Sequence, residues 1–320
     1  MQSVALIAPD FFLIVLGAVL SHKLGYPRSF WNWAERLVFY VLLPPMLFLS
    51  VANSKLALGA SGEFVAVSLL TMGLGTLLCW LVRYVVKTDD VTFASLFHTG
   101  FRFNAYIGFA LCLRMFGQEG FAYFALIIAF WIPISNALAV IVLANAVERR
   151  RMRESVRDKI DGRSGRATIV KLTGRAIVRN PLIIATLLGL VFNVLGLGLS
   201  DIVTAMLRNL GSASLALGLL CIGAGLEFAG IRSSMAALAA VSVVRLFGIG
   251  AVALVVTNFF DLPALSASVL LLFTVLPTGQ SCYVMTANMG GNAPAVACIT
   301  TLQTLASMVT LPLWIAFCLS

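Results

Sequence analysis

The chain is short of charge, and shortest of acid. Asp, Glu, Lys and Arg make up 11% of its 320 residues and only 13 are acidic, whereas an ordinary soluble domain carries roughly 25% charged residues. A soluble globular domain is thereby excluded. Histidine is nearly absent, with only His22 and His98, and the chain has no HExxH, GxSxG or Walker loop. Two histidines leave too few partners for a catalytic triad or a metal centre, so neither an enzyme nor a cofactor is expected. Cys79, Cys112, Cys221, Cys282, Cys298 and Cys318 all fall in apolar runs, with no CxxC and no ligand-like spacing to either histidine. They read as small core residues, and the redox compartment stays open.

What the chain does have is apolar length. Hydrophobic residues reach 60% and mean hydropathy is +1.00, which marks a polytopic membrane protein. The net charge of +9 does not point to nucleic acid, because 11 of the 22 Lys and Arg lie between Arg149 and Arg179, one loop between apolar segments. That clustering is a topology signal.

The apolar pattern predicts ten spans: Ala5 to Ser21, Trp33 to Ala52, Gly62 to Val86, Val91 to Arg114, Gly120 to Val147, Pro181 to Leu197, Val203 to Phe228, Ser233 to Asn258, Ala264 to Thr286 and Pro294 to Phe317. Asp10 in place of a basic leader region argues against a removed signal peptide at span 1. Pro44 and Pro45 predict a kink near the middle of span 2. Placing the basic loop in the cytoplasm puts 17 basic residues on that side (Lys23, Arg28, Arg36, Arg83, Lys87, Arg232 and the loop's 11) against 3 outside, Lys55, Arg114 and Arg208. The positive-inside rule then sets both termini outside. Five spans on each side of the loop give two repeats, 1–147 and 180–320, inverted in the membrane and joined by the basic loop 148–179.

Two of these spans are interrupted. Leu276 to Ser281, LPTGQS, breaks span 9, and Arg102 to Gly108, RFNAYIG, breaks span 4. Asn104 lies thirteen residues before Gly117, and Pro277 thirteen before Gly290, so the breaks occupy corresponding positions in the two halves. A bilayer tolerates such breaks only where protein or a cavity satisfies the freed backbone groups, and paired breaks point to the binding site of a secondary transporter.

The chemistry available there suits an anion. A broken helix exposes unpaired N–H groups at the start of its second half, where the aligned peptide dipoles add roughly half a positive charge. Asn104, Tyr106, Gln280, Ser281 and Tyr283 are donors that can complete a carboxylate site beside Pro277, and Asn136 with Pro133 on span 5 and Asn193 on span 6 are further path-lining candidates. The alternative for each is that it satisfies the broken backbone. Arg102 can lend charge to a bound carboxylate or pair with carbonyls ending the first half of span 4. Arg245 in span 8 can act as a built-in cation in place of a coupling sodium, or lock against Glu227 or a broken-helix carbonyl. The acids Asp10, Glu63, Glu119, Asp201 and Asp261 fall near outer ends and Glu227 near an inner end, with no aspartate pair at the membrane centre. Proton coupling through a buried carboxylate is disfavoured, and facilitated or potential-driven anion transport preferred. His98, near an inner end, could titrate, but one histidine at a helix end is more often a surface residue and is read as one.

The segments LVFYVLLPPMLFLSVA, FRFNAYIGFAL, WIPISNALAVIVLA, NPLIIATLLGLVFNVLGL, LGSASLALGLLCIGAGL and LPTGQSCYVMTANMGG, in that order, resemble the auxin efflux carrier family of bacteria and plants. The resemblance implies a fold like that of bile acid symporters and sodium/proton antiporters, with spans 1, 2, 6 and 7 as scaffold and spans 3 to 5 and 8 to 10 as a mobile transport domain. Spans 4 and 9 would cross at their breaks, and transport would follow an elevator mechanism in the cytoplasmic membrane. Family members carry organic anions, auxin in plants and dicarboxylates such as malate or malonate in bacteria. A sodium-coupled organic anion symporter of the bile acid type is the alternative, followed by an anion channel or a sensor. The family also implies a homodimer through scaffold helices, although the glycines Gly211, Gly218, Gly223 and Gly225 on span 7 suit packing inside the monomer equally well. Many bacterial members carry Leu-Pro where this chain has Phe109 and Ala110. Span 4 is therefore expected to break through Asn104 and Gly108 alone.

Overall fold

The structure is a computed structural model that describes residues 2–53, 58–155, 181–227 and 235–318; most of the basic loop, with Lys55 and Arg232, lies outside these. The described residues form helices and no strands. In chain order these are α1 (Gln2–His22), α2 (Arg28–Leu37), α3 (Leu43–Ala52), α4 (Leu58–Val85), α5 (Asp90–Phe101), α6 (Ala105–Ser155) and α7 (Pro181–Val194). They continue with α8 (Asp201–Ala224), α9 (Met235–Val243), α10 (Ile249–Phe259), α11 (Ala264–Val275), α12 (Ser281–Asn288) and α13 (Ala293–Cys318).

Among the described residues, six helical stretches are long and apolar enough to cross a membrane: Arg28–Ala52, Gly62–Val85, Asp90–Arg150, Asp201–Ala224, Met235–Phe259 and Ala293–Phe317. The apolar helices Ile7–His22, Pro181–Val194 and Ala264–Val275 are shorter. Asp90–Arg150 runs 61 residues, roughly three times the 20 that a bilayer requires. It is divided by the break before Ala105 and by Gly117, whose φ of 61° and ψ of −158° turn the chain inside α6. Gly290 has a φ of 75° after α12. The two glycines matched by sequence spacing thus both adopt the left-handed conformation that side chains disfavour.

Local chemistry explains the irregular helices. Span 2 begins at Arg28, earlier than expected, because Pro27 sits extended (φ −68°, ψ 151°) at its N-cap. Its kink is a π turn over Val38–Leu42, with Pro44 and Pro45 in the first turn of α3 immediately after it. Proline lacks an N–H and clashes with the carbonyl four residues back, so the ladder widens just upstream. Span 8 carries a second π turn, Val244–Gly248, which holds Arg245.

Two packing groups surround the breaks. α1 lies along α8, and α3 against α7 and α8. In the other group α5 packs on α6 and α13, α11 on α6 and α10, α4 on α5 and α10, and α12 on α13. Lipid is as apolar as this core, so close packing and hydrogen bonds hold the helices together more than transfer from water does. Phe103 and Phe273, one from each broken span, meet with ring centroids 4.4 Å apart, and Phe124 meets Phe273 at 5.6 Å. Between the groups, Arg114 on α6 grips Asp10 on α1 with two bonds of 2.8 Å, and Asp10 is 2% exposed. The fork geometry offsets much of the cost of burying that carboxylate. The glycine-rich face of α8 is used inside the monomer: a Cβ at Gly211 would strike Met46, one at Gly218 would strike Tyr106, and one at Gly223 would strike the backbone of α1.

Candidate functional site at the crossing of the broken helices

Span 9 breaks because of its proline. Leu276, forced to an extended conformation by Pro277, ends α11 at φ −65° and ψ 146°. Span 4 breaks without one: Arg102 is extended at φ −88° and ψ 152°, and Asn104 restarts the helix by accepting from the Ile107 N–H through Oδ1 at 3.3 Å. That is the work of an N-cap, for which Asn is well suited. The break covers 102–104 only. Gly108, expected to take part in it, lies inside α6; its missing Cβ makes room for Phe124 and Leu276, which would otherwise sit 2.3 Å and 2.7 Å away.

The two breaks meet. The Asn104 N–H donates to the Pro277 carbonyl at 2.8 Å, joining the two positions that sequence spacing equates. A Cβ on Gly279 would lie 2.6 Å from the Phe103 carbonyl oxygen, so this approach requires glycine. Other freed backbone groups are met by side chains from neighbouring helices. Trp131 Nε1 donates to the Phe101 carbonyl ending α5 at 3.1 Å, Arg245 Nη2 donates to the Phe273 carbonyl near the end of α11 at 3.3 Å, and the Thr278 N–H donates to Gln303 Oε1 at 3.0 Å. Gln303 is oriented in turn by Ser242, whose Oγ accepts from its Nε2 at 3.3 Å. This satisfies the demand that a bilayer places on broken helices.

The candidate residues divide into three groups. At the crossing itself, Arg102 Nη2 donates to Ser281 Oγ at 2.9 Å and Nη1 reaches Met285 Sδ at 3.1 Å. Asn104 is 2% exposed and its Nδ2 has no hydrogen-bond partner among the described residues. A second group faces α8: Gln280 Nε2 donates to the Ile222 carbonyl at 3.3 Å and its amide packs on Gly225, while Tyr106 packs on Gly218. The third group stands apart. Tyr283 is half-buried on α12 and Asn136 half-buried on α6, both outside the hydrogen bonds that tie the crossing. Asn193, a path-lining candidate, donates to the Ala52 carbonyl at 3.1 Å and so closes the end of α3.

Arg245 is fully buried. Of its two structural alternatives the broken-helix carbonyl is the one realised, and Nε and Nη1 have no partner among the described residues. His98 overturns its surface reading: it is 0% exposed, and Nε2 lies 2.9 Å from Thr286 Oγ1 on α12. One histidine near a helix end does not reveal which face it occupies. Gln303 and Thr286 carried no sequence signal either, since a polar residue within an apolar run often bonds its own helix, as Thr286 also does to the Cys282 carbonyl. Glu35 on α2, not singled out from the sequence, is half-buried.

At the mouth below α5, Asp89 Oδ1 accepts from the Thr92 N–H at 2.9 Å as N-cap. Partial burial raises its pKa, but hydrogen bonds from Thr92 and the neighbouring backbone outweigh that and hold it below the usual carboxylate value. Asp89, Asp90, Arg150, Arg153 and Asn292 line a polar cavity of about 720 Å³ there. The described cysteines Cys79, Cys112, Cys221, Cys282 and Cys298 are buried and free, as core residues would be.

A sequence model described as Membrane transport protein matches residues 3–315, nearly the whole chain. The chain belongs to this auxin efflux carrier-like family. Membership makes it a multi-pass membrane transporter, and the crossing described above is the crossing of a transport protein. Proteins of the family are transporters rather than enzymes. A search of curated proteins finds no match to the chain.

Proposed function

We propose that the protein carries a small organic anion, a carboxylate or dicarboxylate, through an elevator-type movement, and that the anion binds at the crossing of the broken helices. The observation that carries this reading is Arg102: a half-buried residue at the break whose guanidinium meets, among the described residues, a hydroxyl and a thioether, with no acid among them. A buried or half-buried cation without a counter-charge invites one. Ser281 at the start of α12 and the unpartnered amide of Asn104 at the start of α6 supply donors beside it. Pro277, Gln280, Tyr106, Tyr283 and Asn136 extend the proposed site.

Ten spans in two inverted repeats, with both termini outside the cytoplasmic membrane, belong to the same proposal. In its support, the first half of each broken span is a helix of 12 residues, and each second half leads to a left-handed glycine. The close packing of α1 on α8 and of α3 on α7 and α8 supports spans 1, 2, 6 and 7 as scaffold. Arg245 favours an anion carrier over a sodium-coupled symporter, because a fixed charge already lies against the carbonyl end of α11. A homodimer fits the apolar residues Ile202, Met206 and Leu210 that α8 leaves exposed.

The test is a thermal-shift screen of purified protein against mono- and dicarboxylates. A bound carboxylate raises the melting temperature. Arg102→Gln abolishes that shift, and Arg102→Lys keeps part of it, because charge matters more here than fork geometry. Losing a hydrogen bond between charged groups costs about 1.5 to 3 kcal/mol, or roughly 10- to 150-fold in affinity. An undiminished shift with Arg102→Gln would remove the basis of the reading.

A further inference from the structure

The mechanism above leaves one buried basic nitrogen unused. His98 lies on α5, one turn before the break, and its ring bridges to α12 through Thr286. The Thr286 hydroxyl donates its own hydrogen to the Cys282 carbonyl at 2.9 Å, so Nε2 of His98 must be the donor in the His98–Thr286 pair. Nδ1 therefore carries a lone pair, and it is buried with no partner among the described residues. A proton placed there with the site empty would have neither an acceptor nor a counter-charge.

The charges around the ring are few. α5 itself carries Arg102 and, at its far end, Asp90. The neighbouring elements bring Cys282 and Tyr283 on α12, Glu63, Cys79, Arg83 and Tyr84 on α4, Arg245 on the second π turn and Cys298 on α13. α6 adds Tyr106, Cys112, Arg114, Glu119, Tyr123, Glu148 and the arginines of its last turns, while α9 has no titratable group. Of all these, Arg102 shares the contact with α12: its guanidinium meets Ser281 and Met285, next to the Thr286 that His98 meets. The same Arg102 N–H donates to the His98 carbonyl at 3.2 Å.

The geometry points to His98 as the group that couples a proton to anion binding. The inference rests on the proposed carboxylate site at Arg102. An anion there offsets the guanidinium charge and gives a proton on Nδ1 its counter-charge. Because coupling between two sites is reciprocal, the proton then tightens the anion by the same factor. One proton moves from water to the Nδ1 lone pair on the loading side and returns to water, with the anion, on the other. No bond within the protein breaks.

Calorimetric titration of the purified full-length protein with succinate, in two buffers of different ionisation heat, reads this directly. Wild type takes up a fraction of a proton per succinate that grows as pH falls, and its affinity strengthens with acidification by less than about tenfold per pH unit between about pH 7.5 and 6, where most of the diacid is still ionised. His98→Gln keeps a donor for Thr286 but cannot titrate, so it binds succinate with no proton uptake and a flat pH profile. Uptake that persists in His98→Gln, or a pH-independent wild-type affinity, overturns the inference and leaves the anion site standing. Failure of succinate and every other carboxylate in the thermal-shift panel to bind wild type overturns both.

Discussion

At the scale of the residue, the site is built from side chains that finish what the broken backbone leaves open. Asn104 spends its carbonyl on the Ile107 N–H and keeps its amide nitrogen unpartnered, whereas Gln280 spends its nitrogen on the Ile222 carbonyl of α8. Asn104 is therefore the better candidate for direct contact with the anion, and Gln280 for reporting its presence to α8. These two, with Arg102 and Pro277, were legible because a polar residue or a proline within an apolar run must have a reason. Arg245 was legible as an anomaly, with the broken-helix carbonyl among its readings, whereas His98 read as a surface residue, since sequence does not say which helix face meets which neighbour. Asp89 shows the same logic at the membrane edge and sets a pH expectation. Its folded pKa lies below the unfolded value, so its capping contribution is present above about pH 4 and is lost as pH falls through the folded pKa. Asp89→Ala should lower stability by about 0.5 to 2 kcal/mol near neutral pH, and the difference from wild type should shrink in acid; denaturant unfolding at pH 7 and pH 3 measures both.

At the scale of the element, two helices break by different chemistry and arrive at the same geometry. Pro277 imposes an extended residue on span 9, while span 4 reaches an extended Arg102 with Asn104 as the restarting cap. The positions of both breaks were readable in the sequence, as was their correspondence through Gly117 and Gly290. The π turns were not. Each depends on how the ladder adapts around a proline pair or a buried arginine, and no residue pattern dictates that outcome. The close approach of the breaks depends on Gly279, where any side chain meets the Phe103 carbonyl. Gly279→Ala should separate the crossing, cost about 1 to 3 kcal/mol of stability, and weaken carboxylate binding. A Gly279→Ala protein with wild-type melting temperature and wild-type ligand shift would show that the contact tolerates a methyl group.

At the scale of the whole molecule, the transporter assignment stands on a family match across nearly the full chain and on helices suited to a bilayer. Composition alone points to the membrane class; the ten spans and the orientation proposed from hydropathy and charge bias carry their own check. Single cysteines in a cysteine-free variant should label at Ser54 from outside intact cells and at Ser164 only after permeabilisation. Labelling of Ser164 in intact cells would invert the topology. The central claim is that the crossing binds the transported anion, and transport itself tests it most directly. In proteoliposomes, uptake of a labelled carboxylate chosen by the thermal-shift screen should saturate with wild type. Asn104→Ala and Gln280→Ala should each weaken apparent affinity by about five- to 150-fold, the equivalent of about 1 to 3 kcal/mol; Asn104→Ala should also lower stability by about 0.5 to 2 kcal/mol as a lost N-cap, so affinity is compared at a temperature where both variants are folded. If both variants transport that anion as wild type does, the crossing is a structural kink and the anion binds elsewhere.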